Sequence, residues 1–173
     1  LLHRTVVRAG VNPKGSADEV FKAWADALMR TAGMHNNQPV KIGIAMPNPV
    51  DYESGISYIK DNNKYEALYG LNIKENLAAR LDITPVDIRM QNDAGCFLHG
   101  EVYGGAARGY ERAIGITLGT GIGSARYKNG VAADADLWHA PFRDGITEDY
   151  LSTRWFLRRY EALAQRAVNN VKT

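Results

Sequence analysis

The chain has 173 residues, 45% hydrophobic and 23% charged, which is a globular composition and not that of a disordered chain. A formal net charge of +2 gives no concentrated positive surface for nucleic acid, and the lone cysteine, Cys96, excludes an intramolecular disulfide and a Cys-rich zinc module. No apolar run approaches the ~18–20 residues a bilayer span requires, and no signal-peptide core opens the chain, so a cytoplasmic protein is expected. The sequence starts without Met in the middle of an apolar alternation, as expected of a piece of something longer.

In chain order, residues 5–11 read as a short strand. Ser16-Ala-Asp-Glu19 is a capping box, and Val20, Trp24, Ala27 and Leu28 then recur at helical spacing, predicting a helix to about Gly33. His35 falls in a loop. Residues 39–46 form an apolar run read as a buried strand, stopped by Pro47 and Pro49, which are expected to forbid further ladder. Asn72-Ile-Lys-Glu75 opens a second capped helix with Ile73, Leu77 and Leu81 on one stripe.

Pro85 is expected to start a strand over 86–91 that delivers Asn92 and Asp93. A small-residue helix over 94–108 follows, with Cys96 and His99 in its core. A strand over 114–118 leads into Gly119-Thr-Gly121-Ile-Gly123, and 124–128 reads as its antiparallel return, closed by Asn129-Gly130. From Thr147 a long helix is predicted, with Tyr150, Leu151, Trp155, Tyr160, Leu163 and Ala167 inward and Arg154, Arg158, Arg159 and Arg166 in water. Strands alternating with capped helices give an α/β class.

Three groups of residues could carry chemistry. Gly119, Gly121 and Gly123 lack Cβ atoms, so with Thr120 they can let backbone N–H groups approach an anion; an unliganded glycine hairpin is the plain alternative. The spacing is G-x-G-x-G with a strand behind it, which fits neither a dinucleotide fingerprint nor a P-loop, so a Rossmann oxidoreductase is excluded. Asn92 and Asp93 end a strand, where α/β proteins hold ligands, although both residues are equally ordinary helix caps. Asp136, His139 and Glu148 suit a polyol, whose hydroxyls each donate and accept, or else they decorate a solvated loop.

Four segments in order, Ile42-Gly-Ile-Ala-Met-Pro-Asn-Pro-Val-Asp51, Gln91-Asn-Asp-Ala-Gly95, Gly100-Glu-Val-Tyr-Gly-Gly-Ala-Ala-Arg-Gly109 and Ile116-Thr-Leu-Gly-Thr-Gly-Ile-Gly123, resemble the ROK family of bacterial sugar kinases and sugar-responsive repressors. The similarity runs over about residues 39–160. It implies a partial actin-like, ribonuclease-H-like ATPase fold, with mixed sheets flanked by helices. Residues 1–91 would be a remnant of the smaller N-terminal lobe and 92–173 the start of the larger one. The resemblance also implies that Asp93 is the catalytic base, that Asn92 lies beside it on the sugar hydroxyls, and that residues 119–123 are a phosphate loop for ATP. Asn48, Asp136, His139 and Glu148 would grip sugar.

The segment departs from the family in several places. The Cys-rich zinc loop between His139 and Glu148 is absent, so no structural zinc and no protein-bound metal are expected, and Mg²⁺ would arrive with ATP. Asp136 stands for Glu, Trp138 for Gly, and Gly95 for the usual Asn. The family's N-terminal Asp-x-Gly-Gly-Thr loop and the adenine-holding remainder of the large lobe are missing, so little activity is expected of the segment alone. The resemblance therefore implies an ATP-dependent kinase acting on a hexose or amino-sugar hydroxyl. The alternative is the sugar-sensing domain of a repressor without kinase activity. A small-molecule sugar is the expected partner, with no nucleic acid or membrane for this segment, and family members are often homodimers.

Overall fold

The computed structural model describes residues 6–32, 41–61 and 64–170. Thr5, Gly33, His35, Pro39 and Val40, on which several expectations fall, lie outside these. The chain divides into two compact units, Leu1–Gln91 and Asn92–Thr173.

In the first unit, α1 (Ala17–Ala32) starts where its capping box predicts. Glu19 N–H donates to Ser16 Oγ at 3.3 Å, and the Ser16 N–H donates back to Glu19 Oε2 at 2.7 Å. The buried stripe is Val20, Phe21 and Ala25, with Trp24 and Leu28 packed at its margin. Phe21 was not on the expected stripe. Its ring is covered by the Arg80 guanidinium at 5.2 Å and meets Trp24 edge-on at 6.0 Å. Helix α2 (Ile73–Leu81) is capped by Asn72, whose side chain accepts from Glu75 N–H at 3.1 Å, and it buries Ile73, Leu77 and Leu81 as expected.

The strands of this unit depart from expectation at their ends. Residues 6–11 form no strand; Val6 and Val7 face solvent. Strand β1 (Ile42–Met46) is buried at Ile42 and Met46 but open at Gly43 and Ala45, so it is covered on one face only. A separate ladder begins directly after Pro49, as β2 (Val50–Asp51) pairs antiparallel with β3 (Ile56–Ser57). A proline costs only its own N–H, and here it precedes the first paired residue. Asp51 accepts the N–H groups of Glu53 and Ser54, at 3.0 and 3.1 Å, which turns the chain back. Hydrogen bonds from Ser54 lead the causes that hold the Asp51 carboxyl below its usual range.

Pro85 opens a 3-10 turn (Pro85–Asp87) and not a strand. The Thr84 hydroxyl donates to Asp87 at 2.6 Å and Asp87 N–H closes on the Thr84 carbonyl, a local Thr-Pro-x-Asp geometry that overrides the β-branched composition. Strand β4 (Ile88–Asn92), the neighbour of β1, therefore starts two residues late.

The second unit is a helix on a three-stranded antiparallel sheet. Helix α3 (Asp93–Gly104) stops short of the expected 108, where Gly105 ends it. It packs on one face of β5 (Arg112–Leu118), β6 (Ile122–Lys128) and β7 (Val131–Asp134), ordered β5-β6-β7. Residues 119–121 join β5 to β6. Asn129-Gly130 joins β6 to β7 instead, with Lys128 paired to Val131 and φ of 54° and 84°, as a two-residue turn of the I′ kind requires. The small core is Ala94, Leu98, Ala125 and Ala132.

A tight hairpin, β8 (Pro141–Phe142) and β9 (Gly145–Ile146), follows. The predicted long helix is two pieces, α4 (Thr147–Tyr150) and α5 (Thr153–Ala164), broken at Leu151. Ser152 restarts the helix as its cap. No residue of α5 is buried: Tyr160 and Leu163 face solvent, and Ala167 lies beyond its end.

Candidate sugar and phosphate site

Asn92 closes β4 and caps α3. Its Oδ1 accepts the Gly95 N–H at 3.1 Å, and its Nδ2 lies 3.5 Å from Asp134 Oδ2, while the residue is only 8% exposed. The capping reading of Asn92 is thus realised. Asp93 is the first residue of α3 and is exposed. Its Oδ1 accepts the Ala94 N–H at 2.9 Å, which fixes the plane of the carboxylate. Burial, and then the Asp93 charge, push the Cys96 thiol above its ordinary value, so it is a poor nucleophile. His99 is half-buried and uses Nε2 to accept the Ala132 N–H at 2.8 Å, a structural role that ties α3 to β7.

The β5–β6 turn lies beside the start of α3. A Cβ on Gly123 would overlap the Thr117 hydroxyl and come within 3.3 Å of the Ala94 Cβ, so glycine is what allows strand and helix to touch there. Within the turn, the Gly119 N–H closes on the Gly121 carbonyl at 2.9 Å. A Cβ on Gly121 would fall inside the carboxylate of Glu148, which occupies that space and lies 3.4 Å from Arg154. The Gly119 carbonyl is taken by Thr153, through both its N–H at 3.0 Å and its hydroxyl at 2.6 Å.

Asp136 and His139 belong to the same neighbourhood. Asp134 Oδ1 accepts the Asp136 N–H at 2.8 Å, and Asp136 Oδ1 in turn takes the Trp138 indole N–H at 2.7 Å. His139 Nδ1 is 3.4 Å from the same oxygen, and its ring stacks obliquely on Trp138 at 4.8 Å. The next carbonyl, that of Ala140, receives the N–H and hydroxyl of Thr147, immediately ahead of Glu148. Contacts thus join Asn92, Asp134, Asp136 and His139, and the bonds between Ala140 and Thr147, the chain neighbours of His139 and Glu148, tie that group to the glycine turn. Asn48, in the first unit, is exposed and lies 2.9 Å from the Tyr52 hydroxyl, which also reaches the Met46 carbonyl at 2.8 Å.

Asp134 and Thr153 adjoin this region without being picked out in the sequence, and Arg154, expected in water, stays exposed while it pairs with Glu148. Asp134 carries a visible signal, since it stands two residues before Asp136, at the end of β7. Thr153 has none, because its partner is 34 residues away. Among the described residues, no group of three or more His, Cys, Asp or Glu gathers as a metal cage, and no helix is long and apolar enough to cross a membrane.

Comparison with known proteins gives these features a context. The model of the ROK family matches residues 3–137. A glucokinase of Thermotoga maritima is 34% identical over 113 residues, covering 65% of this chain and 33% of the relative. An N-acetyl-D-glucosamine kinase of Salmonella newport is 31% identical, covering 64% of this chain and 35% of its own length. The chain thus spans about a third of the curated relatives it matches.

Among solved structures, a ROK family glucokinase from Streptomyces griseus, in complex with glucose and AMPPNP, superposes with a TM-score of 0.67 at 19% identity. It covers 94% of this chain and 57% of that one. A ROK family transcriptional regulator, a homologue of the Escherichia coli MLC protein, superposes at 0.71 with 15% identity, covering 87% and 41%. The fold is the actin-like ATPase fold of these proteins.

Proposed function

The chain belongs to the ROK family, and from that premise we propose that it forms part of the sugar- and phosphate-binding core of an ATP-dependent carbohydrate kinase. The observation that carries this reading is the convergence on one turn. Ala94, next to Asp93, lies against Gly123, and Glu148 lies against Gly121. Two groups that a kinase must bring together, a base for the hydroxyl and amides for the phosphate, are thereby held within one unit. The unit Leu1–Gln91 is then a remnant of the smaller lobe and Asn92–Thr173 the start of the larger.

In this mechanism Asp93 accepts the proton of the attacking sugar hydroxyl. One carboxylate oxygen is committed to the Ala94 N–H, which leaves the other to face substrate. Asn92 anchors the first turn of α3 and borders the sugar. Asp136, His139 and Glu148 accept and donate to ring hydroxyls. Amides of the 119–123 turn that the hairpin leaves unbonded, that of Thr120 among them, donate to the phosphoryl oxygens, where catalysis is mainly positioning and charge stabilisation. Mg²⁺ would come with the nucleotide and would supply charge neutralisation at the phosphates; no residue of this chain is assigned to it. ATP as donor fits a cytoplasmic setting, and the relatives point to a hexose or N-acetylhexosamine as acceptor.

The test is ADP release by the intact protein supplied with MgATP and a panel of hexoses and amino sugars. Replacing Asp93→Asn is expected to lower kcat by about 10²–10⁴-fold with sugar binding retained; unchanged turnover refutes the assignment of the base. Sugar binding with no ADP release from the wild-type protein would favour the sugar-sensing repressor, whose fold this chain equally shares.

A further inference from the structure

Thr153 is fastened to the β5–β6 turn by two hydrogen bonds to one atom. Its N–H is among the helix-start donors that find no partner within the helix itself, and its hydroxyl adds a second, shorter bond to the Gly119 carbonyl. A trans peptide points its carbonyl and the following N–H in opposite directions. Fixing the Gly119 carbonyl toward α5 therefore turns the Thr120 N–H away from α5, and no hydrogen bond among the described residues uses that N–H. Glycine at 119 leaves one side of this peptide little intrinsic preference, so beyond the turn's own Gly119 N–H bond to the Gly121 carbonyl its orientation depends on contacts from outside.

We propose that Thr153 is a positioning residue for the phosphoryl donor: its two bonds hold the Gly119–Thr120 peptide so that the Thr120 amide is presented to a phosphate oxygen. This rests on the reading of residues 119–123 as a phosphate loop. The hydroxyl is the decisive part, since every residue but proline supplies the N–H, and a single bond leaves the peptide free to rock.

Two measurements on the full-length protein separate this proposal from the reading beneath it. Hydrogen exchange across residues 118–123 is followed with and without MgATP, and steady-state KM values for ATP and for sugar are compared for wild type, Thr153→Val and Thr153→Ser. The expected result is slowed exchange with MgATP in wild type and a KM for ATP raised about five- to tenfold in Thr153→Val. The sugar KM stays unchanged, and Thr153→Ser recovers the wild-type value. Thr153→Ala is read in the same way should valine disturb the helix start. Slowed exchange combined with an unchanged ATP KM in the Val and Ala variants, or with no recovery by Ser, overturns the positioning role and leaves the phosphate loop standing. An absence of MgATP protection in wild type overturns both.

Discussion

Glu148 and Gly121 share one space: the carboxylate lies where any larger residue at 121 would put its Cβ. The overlap is with the far end of a side chain that can swing, so Gly121→Ala moves Glu148 and loosens its pairing with Arg154 more than it strains the backbone. Exposed ion pairs contribute little, which places the expected stability loss below about 1 kcal/mol. Removing the obstacle should make the substitution cheaper. In a double-mutant cycle with Glu148→Ala, Gly121→Ala is expected to cost about 0.5–1 kcal/mol less than it does alone. Urea denaturation of the four proteins measures that difference; strict additivity would mean that the two side chains do not compete for the same volume.

At the scale of elements, what could be read from the sequence was whatever is fixed within a few residues. The Ser16–Glu19 and Asn72–Glu75 caps set their helices correctly because donor and acceptor are three residues apart. Locality alone was not enough. Thr84 and Asp87 make a turn that β-branched composition conceals, so the strand before Asn92 begins later than its pattern suggests. The break between α4 and α5 was illegible for the opposite reason, since the start of α5 is held by the Gly119 carbonyl far upstream. In the candidate site, the motifs gave Asp93, the glycines and Glu148, but not the contacts that connect them.

The Asn129-Gly130 turn was legible, but not the strand β7 that it leads into. With Gly130 at φ 84°, a Cβ is strained although nothing lies within 4 Å of it. Gly130→Ala is therefore expected to destabilise the β6–β7 turn by about 1–2 kcal/mol, read by thermal unfolding. A neutral result would show that the turn takes another form in solution.

The two units differ in how much apolar surface each removes from water. The first buries Phe21, Ile59, Leu68, Ile73, Leu77 and Ile88, each below 2% exposure. The second buries Leu98 with three alanines, and Ile122 apart from that cluster, which offers less area for the same kind of stabilisation. One face of β5 carries Gly115, where an added Cβ would press on Leu98, and the opposite face carries Ile114, Ile116 and Leu118, exposed by 72%, 49% and 60%. Helix α5 likewise leaves Phe156, Tyr160 and Leu163 in water. Opening free energy follows local burial, so native-state hydrogen exchange in this chain is expected to protect the amides of α2 more strongly than those of β5–β7. The ranking should be widest at α2 residues Leu77 and Ala78 against β5 residues Ile114 and Ile116, because the sheet residues have apolar contacts on one side only. Equal or greater protection in β5–β7 would require that its outer face be covered in solution, for example by a second copy of the chain, and its dependence on protein concentration would then reveal that association.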